Sequence, residues 1–131
     1  MVASVMKERL DAPVERVWRA VTAVEEYAVW RSDLNKAEWL SGDCFAEYGR
    51  NGQTLFRVTL TQPLARWEFE LENPLLKGNW RGDFEAEGEG TLLTFTENVQ
   101  VKKGWLRPFV KGALRRQQKR FMADLKRFLE L

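Results

Sequence analysis

The chain has 131 residues, 44% of them hydrophobic, and a formal net charge of +2, which is enough apolar content for one packed core spanning residues 1–131. With no histidine and one cysteine, Cys44, it excludes a Ser–His or Cys–His nucleophile, a histidine or thiolate metal site and an internal disulfide. No long apolar run and no charged-then-apolar leader occurs, so neither a membrane span nor a signal peptide is expected, and the lone cysteine suits a reducing, cytoplasmic setting.

In chain order, Val2 to Leu10 alternates as a strand does, with Ser4, Met6, Glu8 and Leu10 on one side and Ala3, Val5, Lys7 and Arg9 on the other. Asp11-Ala12-Pro13 ends it and opens a helix with Pro13 at its first position. Val14, Val17, Trp18, Val21 and Val24 then follow at helical spacing. Glu25 to Trp30 reads as a second short helical or turn piece, with Tyr27 and Trp30 on one face. After Arg31-Ser32-Asp33 the period changes to that of strands: Lys36–Leu40, Cys44–Tyr48, Thr54–Thr61, Arg66–Glu72, Lys77–Ala86 and Thr91–Val101. Turn residues separate them, and Asn51-Gly52 is the strongest hairpin signal. Trp67, Phe69 and Leu71 on one strand, Trp80, Gly82, Phe84 and Ala86 on the next, and Phe56, Val58 and Leu60 before them mark the inner face; the glutamates between mark the wet one.

Lys103 to Leu131 reads as one long helix. Trp105, Leu106, Phe109, Val110, Ala113, Leu114, Phe121, Leu125, Phe128 and Leu129 recur at steps of three and four, and Pro108 falls in the first turn. Such a stripe is stable only when buried, and the inner face of the strands is the surface available to it. The layout is α+β: a seven-stranded curved antiparallel sheet wrapped around the C-terminal helix, with two short helices after the first strand plugging one end.

Residues 102–131 carry ten Lys and Arg against two acidic residues, a net +8, which leaves −6 for residues 1–101. A basic helix on an acidic sheet is self-complementary. The same helix could also serve as a surface for nucleic acid or anionic lipid, but its basic residues spread around the solvent side and not as a clustered patch with interleaved exposed aromatics.

In this layout the stretch Leu10-Asp11-Ala12-Pro13-Val14-Glu15-Arg16-Val17-Trp18, then Tyr27 and Trp30, the strand Gly90-Thr91-Leu92-Leu93-Thr94-Phe95-Thr96 and the amphipathic C-terminal helix together resemble the START-like or SRPBCC superfamily with its helix-grip fold. That superfamily takes in polyketide cyclases/dehydrases, pollen-allergen relatives and lipid-transfer domains. The resemblance runs the length of the chain and is specific for fold, much less so for chemistry. It implies a hydrophobic cavity between sheet and long helix that holds apolar or amphipathic small molecules.

Without histidine, any catalysis rests on carboxylates, Lys, Arg or Tyr. Glu97 falls on the strand side of Leu93, Phe95 and Val99, and Glu8 on that of Met6 and Leu10, so both interrupt an apolar face and are the candidate acid–base groups. The plainer reading, a residue at the open rim or a structural pair with Arg or Lys, is favoured for each. Gln117 interrupts the helical stripe and, with Val110 and Ala113, would face the cavity; Gly112 adds room there. Trp67, Phe69, Trp80, Phe84 and Phe95 would form the aromatic wall, Tyr27 and Trp30 its mouth, and Trp105 a gate at the opposite end. Gly88-Glu89-Gly90 lies between strands and reads as a hairpin turn and not a phosphate loop, so no cofactor and no metal are expected.

The residue set favours binding over catalysis. The leading expectation is a module that holds a hydrophobic or amphipathic small molecule, such as a lipid, quinone or polyketide-like compound. The alternative is a polyketide cyclase or aromatase using Glu97 or Glu8 as base, with Arg116, Arg120 or Tyr27 holding a carbonyl. Ranked last is an interaction module in which the basic helix docks a membrane, RNA or protein. No nucleic-acid partner and no integral membrane association are expected, and a homodimer is left open.

Overall fold

The computed structural model describes residues 1–50 and 52–131. Seven strands form one antiparallel sheet: β1 (Val2–Leu10), β2 (Leu34–Trp39), β3 (Cys44–Gly49), β4 (Gly52–Gln62), β5 (Arg66–Glu72), β6 (Leu76–Glu87) and β7 (Gly90–Val101), in the order β1-β7-β6-β5-β4-β3-β2. From β2 to β7 the chain is a simple meander. The one long connection carries it from β1 at one edge to β2 at the other, through α1 (Val14–Thr22), a 3-10 turn (Val24–Glu26) and the single-turn α2 (Tyr27–Trp30). Pro13 stands just outside α1, its carbonyl accepting from the N–H groups of Arg16 and Val17 at 3.0 and 3.2 Å. The helix thus begins one residue later than its proline suggests.

The strand boundaries lie within two residues of those read from the alternation. Of the predicted Asn51-Gly52 hairpin, Asn51 lies outside the described residues; Gly49 pairs with Gly52, whose φ of 97° is one that glycine adopts freely. The inner face is buried along Trp67, Phe69, Leu71, Trp80, Phe84, Leu93 and Phe95, while outer-face charges pair across strands, as in Arg57–Glu70 and Arg66–Asp83. A bulge in β4 between Val58 and Leu60 corrects one expectation. Leu60 ends up opposite Glu68 and leaves the inner row that Phe56 and Val58 begin. Gly82 has a packing reason: a Cβ there would lie 2.5 Å from the ring of Trp80, which stacks on Phe69 at 4.8 Å between centroids.

The C-terminal helix α3 runs from Arg107 to Phe128, after a 3-10 turn over Gly104–Leu106, and packs against β1 and β7. Its buried line is Val110, Leu114, Gln118, Met122 and Leu125, continued past its end by Leu129. Trp105, Phe109 and Ala113 belong to the predicted stripe but are exposed, the first two at 69% and 67%. A hydrogen-bonded lock sets this rotation. The Ser4 hydroxyl donates to Gln118 Oε1 at 2.7 Å, and Gln118 Nε2 donates to the Ser4 carbonyl at 3.0 Å, all of it buried. Two satisfied polar groups at the centre of an apolar seam define one rotation of the helix, because any other leaves them unpaired.

Candidate functional site: a polar array beside a sheet–helix cavity

A cavity of about 100 Å³ lies between the sheet and α3. Its apolar walls come from Phe56, Phe69, Leu71, Trp80 and Phe95 on the strands, Val21 of α1, Tyr27 of α2 and Phe121 of α3. Its polar lining is Arg31, Glu47, Glu97, Gln117 and Gln118.

Arg31 sits where α2 ends, its N–H donating to the carbonyl of Tyr27 at 2.8 Å, and its side chain is 5% exposed. Two carboxylates hold the guanidinium. Glu47 accepts from Nη1 and Nη2 at 2.6 and 3.2 Å, and Asp33 from Nε and Nη2 at 3.1 and 2.7 Å. The flat group also lies 5.0 Å from the Tyr27 ring centroid and 5.2 Å from that of Phe121. Gln117 ties the array to α3, its Nε2 donating to Asp33 at 2.5 Å. A second tie lies behind it: Asp124 accepts from the backbone N–H and hydroxyl of Ser32 at 2.8 and 2.9 Å.

The array divides the electrostatics. Burial would lower the Arg31 pKa, but Glu47 and Asp33 carry it above the ordinary arginine value. Burial pushes the Asp33 carboxyl up; the hydrogen bonds and charge of Arg31, with Gln117, bring it below its usual range. Glu47 stays raised, because burial outweighs the guanidinium. Burial also raises the Tyr27 hydroxyl, which donates to the carbonyl of Val21.

Glu97 differs from all of these. It projects from β7 opposite Trp80 on β6, lines the cavity, and makes no hydrogen bond or ion pair among the described residues. Burial raises its pKa to about 7, with the Glu47 charge adding and Arg31 opposing. It is therefore a carboxyl that changes charge near neutral pH, in contact with the cavity and unpartnered.

Of the residues singled out by sequence, Tyr27, Phe69, Trp80, Phe95, Glu97 and Gln117 meet around this cavity. The rest do not. Glu8 lies under the C-terminal part of α3, paired with Lys126 at 2.9 Å. Trp30 is buried between Phe121 and Phe128, so neither it nor the buried Tyr27 is a mouth. Trp67 stacks with Phe45 and lines a separate, open groove with Trp18 and Trp39, while Phe84 packs edge-on against Trp18. Val110 is buried in a small cluster with Val99 and Leu114, and Ala113, Arg116 and Arg120 face outward. The position of α3's own rotation explains the helix errors: the seam runs through Gln118, not Gln117.

Sequence reasoning missed Arg31, Glu47 and Gln118. Glu47 was findable. It shares the parity of buried Phe45 on β3 and so breaks an inner face in the same way as Glu97. Arg31 sits in a connection, where no periodicity applies. Among the described residues no group of three His, Cys, Asp or Glu side chains is placed to hold a metal ion.

With this geometry the chain belongs to the polyketide cyclase/dehydrase and lipid transport family, whose model matches residues 1–130. Among solved structures it is similar to a START superfamily protein from Mycobacterium smegmatis, with a TM-score of 0.87 and 17% identity over 98% of this chain and 97% of that one. It is also similar to an uncharacterized protein from Rhizobium leguminosarum, with a TM-score of 0.77 and 24% identity over 98% of this chain and 94% of that one. A third is the Zhui aromatase/cyclase from Streptomyces sp. R1128, with a TM-score of 0.81 and 12% identity over 95% of this chain and 90% of that one. At these identities the likeness shows a shared fold. No curated protein matches the sequence.

Proposed function

We propose that this chain binds a small amphipathic molecule of the lipid, quinone or polyketide kind, with its polar end against Glu97 and its apolar part among Phe69, Trp80, Phe95 and Phe121. The unpartnered Glu97 carboxyl on the cavity carries the reading: Arg31, Asp33, Gln117 and Gln118 already have partners, so Glu97 is the group free to bond a ligand. Sites that enclose a whole drug-sized ligand measure about 300–1,000 Å³. A cavity of about 100 Å³ therefore fits one ring or headgroup, the remainder extending out between sheet and helix.

The charge balance selects the headgroup. Two carboxylates surround one guanidinium, a net −1 before Glu97 ionises, so a ligand carboxylate is repelled. Neutral oxygen groups are favoured, and the protonation of Glu97 decides which. Protonated, it donates to a carbonyl; ionised, it accepts from a phenol or alcohol. The test is titration of intrinsic Trp fluorescence with a quinone, a long-chain alcohol and a fatty acid, together with native mass spectrometry of the protein as purified. Quinone binding that weakens as pH rises through 7, with the Glu97→Gln variant insensitive to pH, supports the reading. Preference for the fatty acid anion, or indifference of all three ligands to Glu97→Gln, refutes it.

One observation favours a second reading. A carboxyl that titrates near 7 on a largely apolar cavity has the proton affinity of a general acid–base, as a cyclase would need. Arg116 and Arg120 are exposed and the Tyr27 hydroxyl donates to the Val21 carbonyl, so none of the three is free to hold the carbonyl, and Glu97 itself would have to bond it. Turnover of a poly-β-ketone substrate by the wild type, lost in Glu97→Gln, would support that reading.

A further inference from the structure

Of the ten basic residues in 102–131, Lys102, Lys126 and Arg127 have carboxylate partners, in Glu72, Glu8 and Asp124. Among the described residues the other seven have none. Self-complementation of the basic helix with the acidic sheet is thus confined to two ion pairs, and most of the +8 is directed at solvent.

The outer face of α3 combines that charge with apolar surface. Trp105 and Phe109 are four residues apart and exposed, and Leu75, 40% exposed, is tied to the segment just before them, its carbonyl accepting from the N–H of Lys102 at 2.9 Å. Continuing along the face that Trp105 and Phe109 begin, the chain places Arg116, Lys119 and Arg120, all exposed. Arg116 lies back over Gly112, with Nη1 3.8 Å from where a Cβ would stand. Exposed aromatics and cations therefore share one face, the rings at its N-terminal end and the cations along the turns that follow.

We infer that the outer face of α3 docks on an anionic lipid bilayer, with Trp105 and Phe109 entering the interface and Arg116, Lys119 and Arg120 among the headgroups. A bilayer surface satisfies both halves of the face at once: the headgroup charge meets the cations, and the acyl boundary takes the rings. A nucleic acid would neutralise the cations and leave Phe109 and Leu75 without an apolar partner. The docking does not depend on what the cavity holds, and no helix of the described residues is long and apolar enough to cross the membrane instead.

The test is co-sedimentation of the full chain with phosphatidylcholine vesicles, with and without about one-third phosphatidylglycerol, at low and high salt. Binding is expected to the anionic vesicles and to weaken at least about tenfold at high salt. Trp105→Ser/Phe109→Ser is expected to reduce it about tenfold or more, and Arg116→Gln/Lys119→Gln/Arg120→Gln about a hundredfold, at a few-fold per charge. All five positions are exposed, and unchanged far-UV circular dichroism verifies that the variants fold. No vesicle binding, equal binding to both compositions, or full binding by both variants overturns the inference. A homodimer that Trp105→Ser/Phe109→Ser dissolves, or oligonucleotide binding without vesicle binding, overturns it as well.

Discussion

Replacing Glu97 with glutamine should stabilise the protein, and do so only above a definite pH. In the fold the Glu97 carboxyl titrates near 7, against 4.5 for an unperturbed glutamate. Below 4.5 both the folded and the unfolded chain hold the proton, and the group costs nothing. As pH rises from 4.5 to 7 the unfolded chain releases the proton while the folded one keeps it, so stability falls; above 7 both are ionised and the loss is complete. At about 1.4 kcal/mol per pH unit, the interval amounts to about 3 kcal/mol. Glu97→Gln removes that titration and leaves the other groups in place. Urea unfolding of both proteins between about pH 4 and pH 8.5 should give near-equal stabilities at the acid end and a variant about 3 kcal/mol more stable at the basic end. The difference between the two curves isolates Glu97 from the coupled Arg31 array. A difference that is flat with pH, or that grows as pH falls, would mean that the carboxyl is ionised and satisfied in the fold, and the reasoning about its environment would be wrong.

Three further perturbations probe the structure around it. Arg31→Met leaves Glu47 and Asp33 facing each other without their cation and should cost about 3–5 kcal/mol at neutral pH, with part recovered in Arg31→Met/Glu47→Gln; chemical denaturation of the four proteins of that cycle measures it. Ser4→Ala removes the donor to Gln118 Oε1 in a buried seam and should lower stability by about 1–3 kcal/mol, read as a fall in Tm. An unchanged Tm would mean that apolar contacts alone set the rotation of α3. Gly82→Ala drives a methyl into the Trp80 ring and should cost about 1–3 kcal/mol while displacing that ring into the cavity, so probe binding by fluorescence titration should fall together with stability.

The sequence by itself determined the element order, all seven strand spans to within two residues, and the face of nearly every strand, because an alternation of period two has only two solutions and burial chooses between them. It marked Glu97 by the same logic, as one carboxyl on an otherwise apolar face. It could not determine which helical stripe of α3 is buried. Trp105, Phe109 and Ala113 match the apolar spacing as well as Met122 does, and the tertiary contacts of α3, the buried Ser4–Gln118 pair among them, leave the first three to solvent. That contact spans 114 residues, and no local pattern encodes it. The tertiary structure likewise assembled Arg31, Asp33, Glu47 and Gln117, which come from a connection, a strand and a helix, and which no period relates. The site is legible in sequence where a polar group violates a repeat. Where charges meet only because the sheet curves around the helix, it took the fold to bring them together.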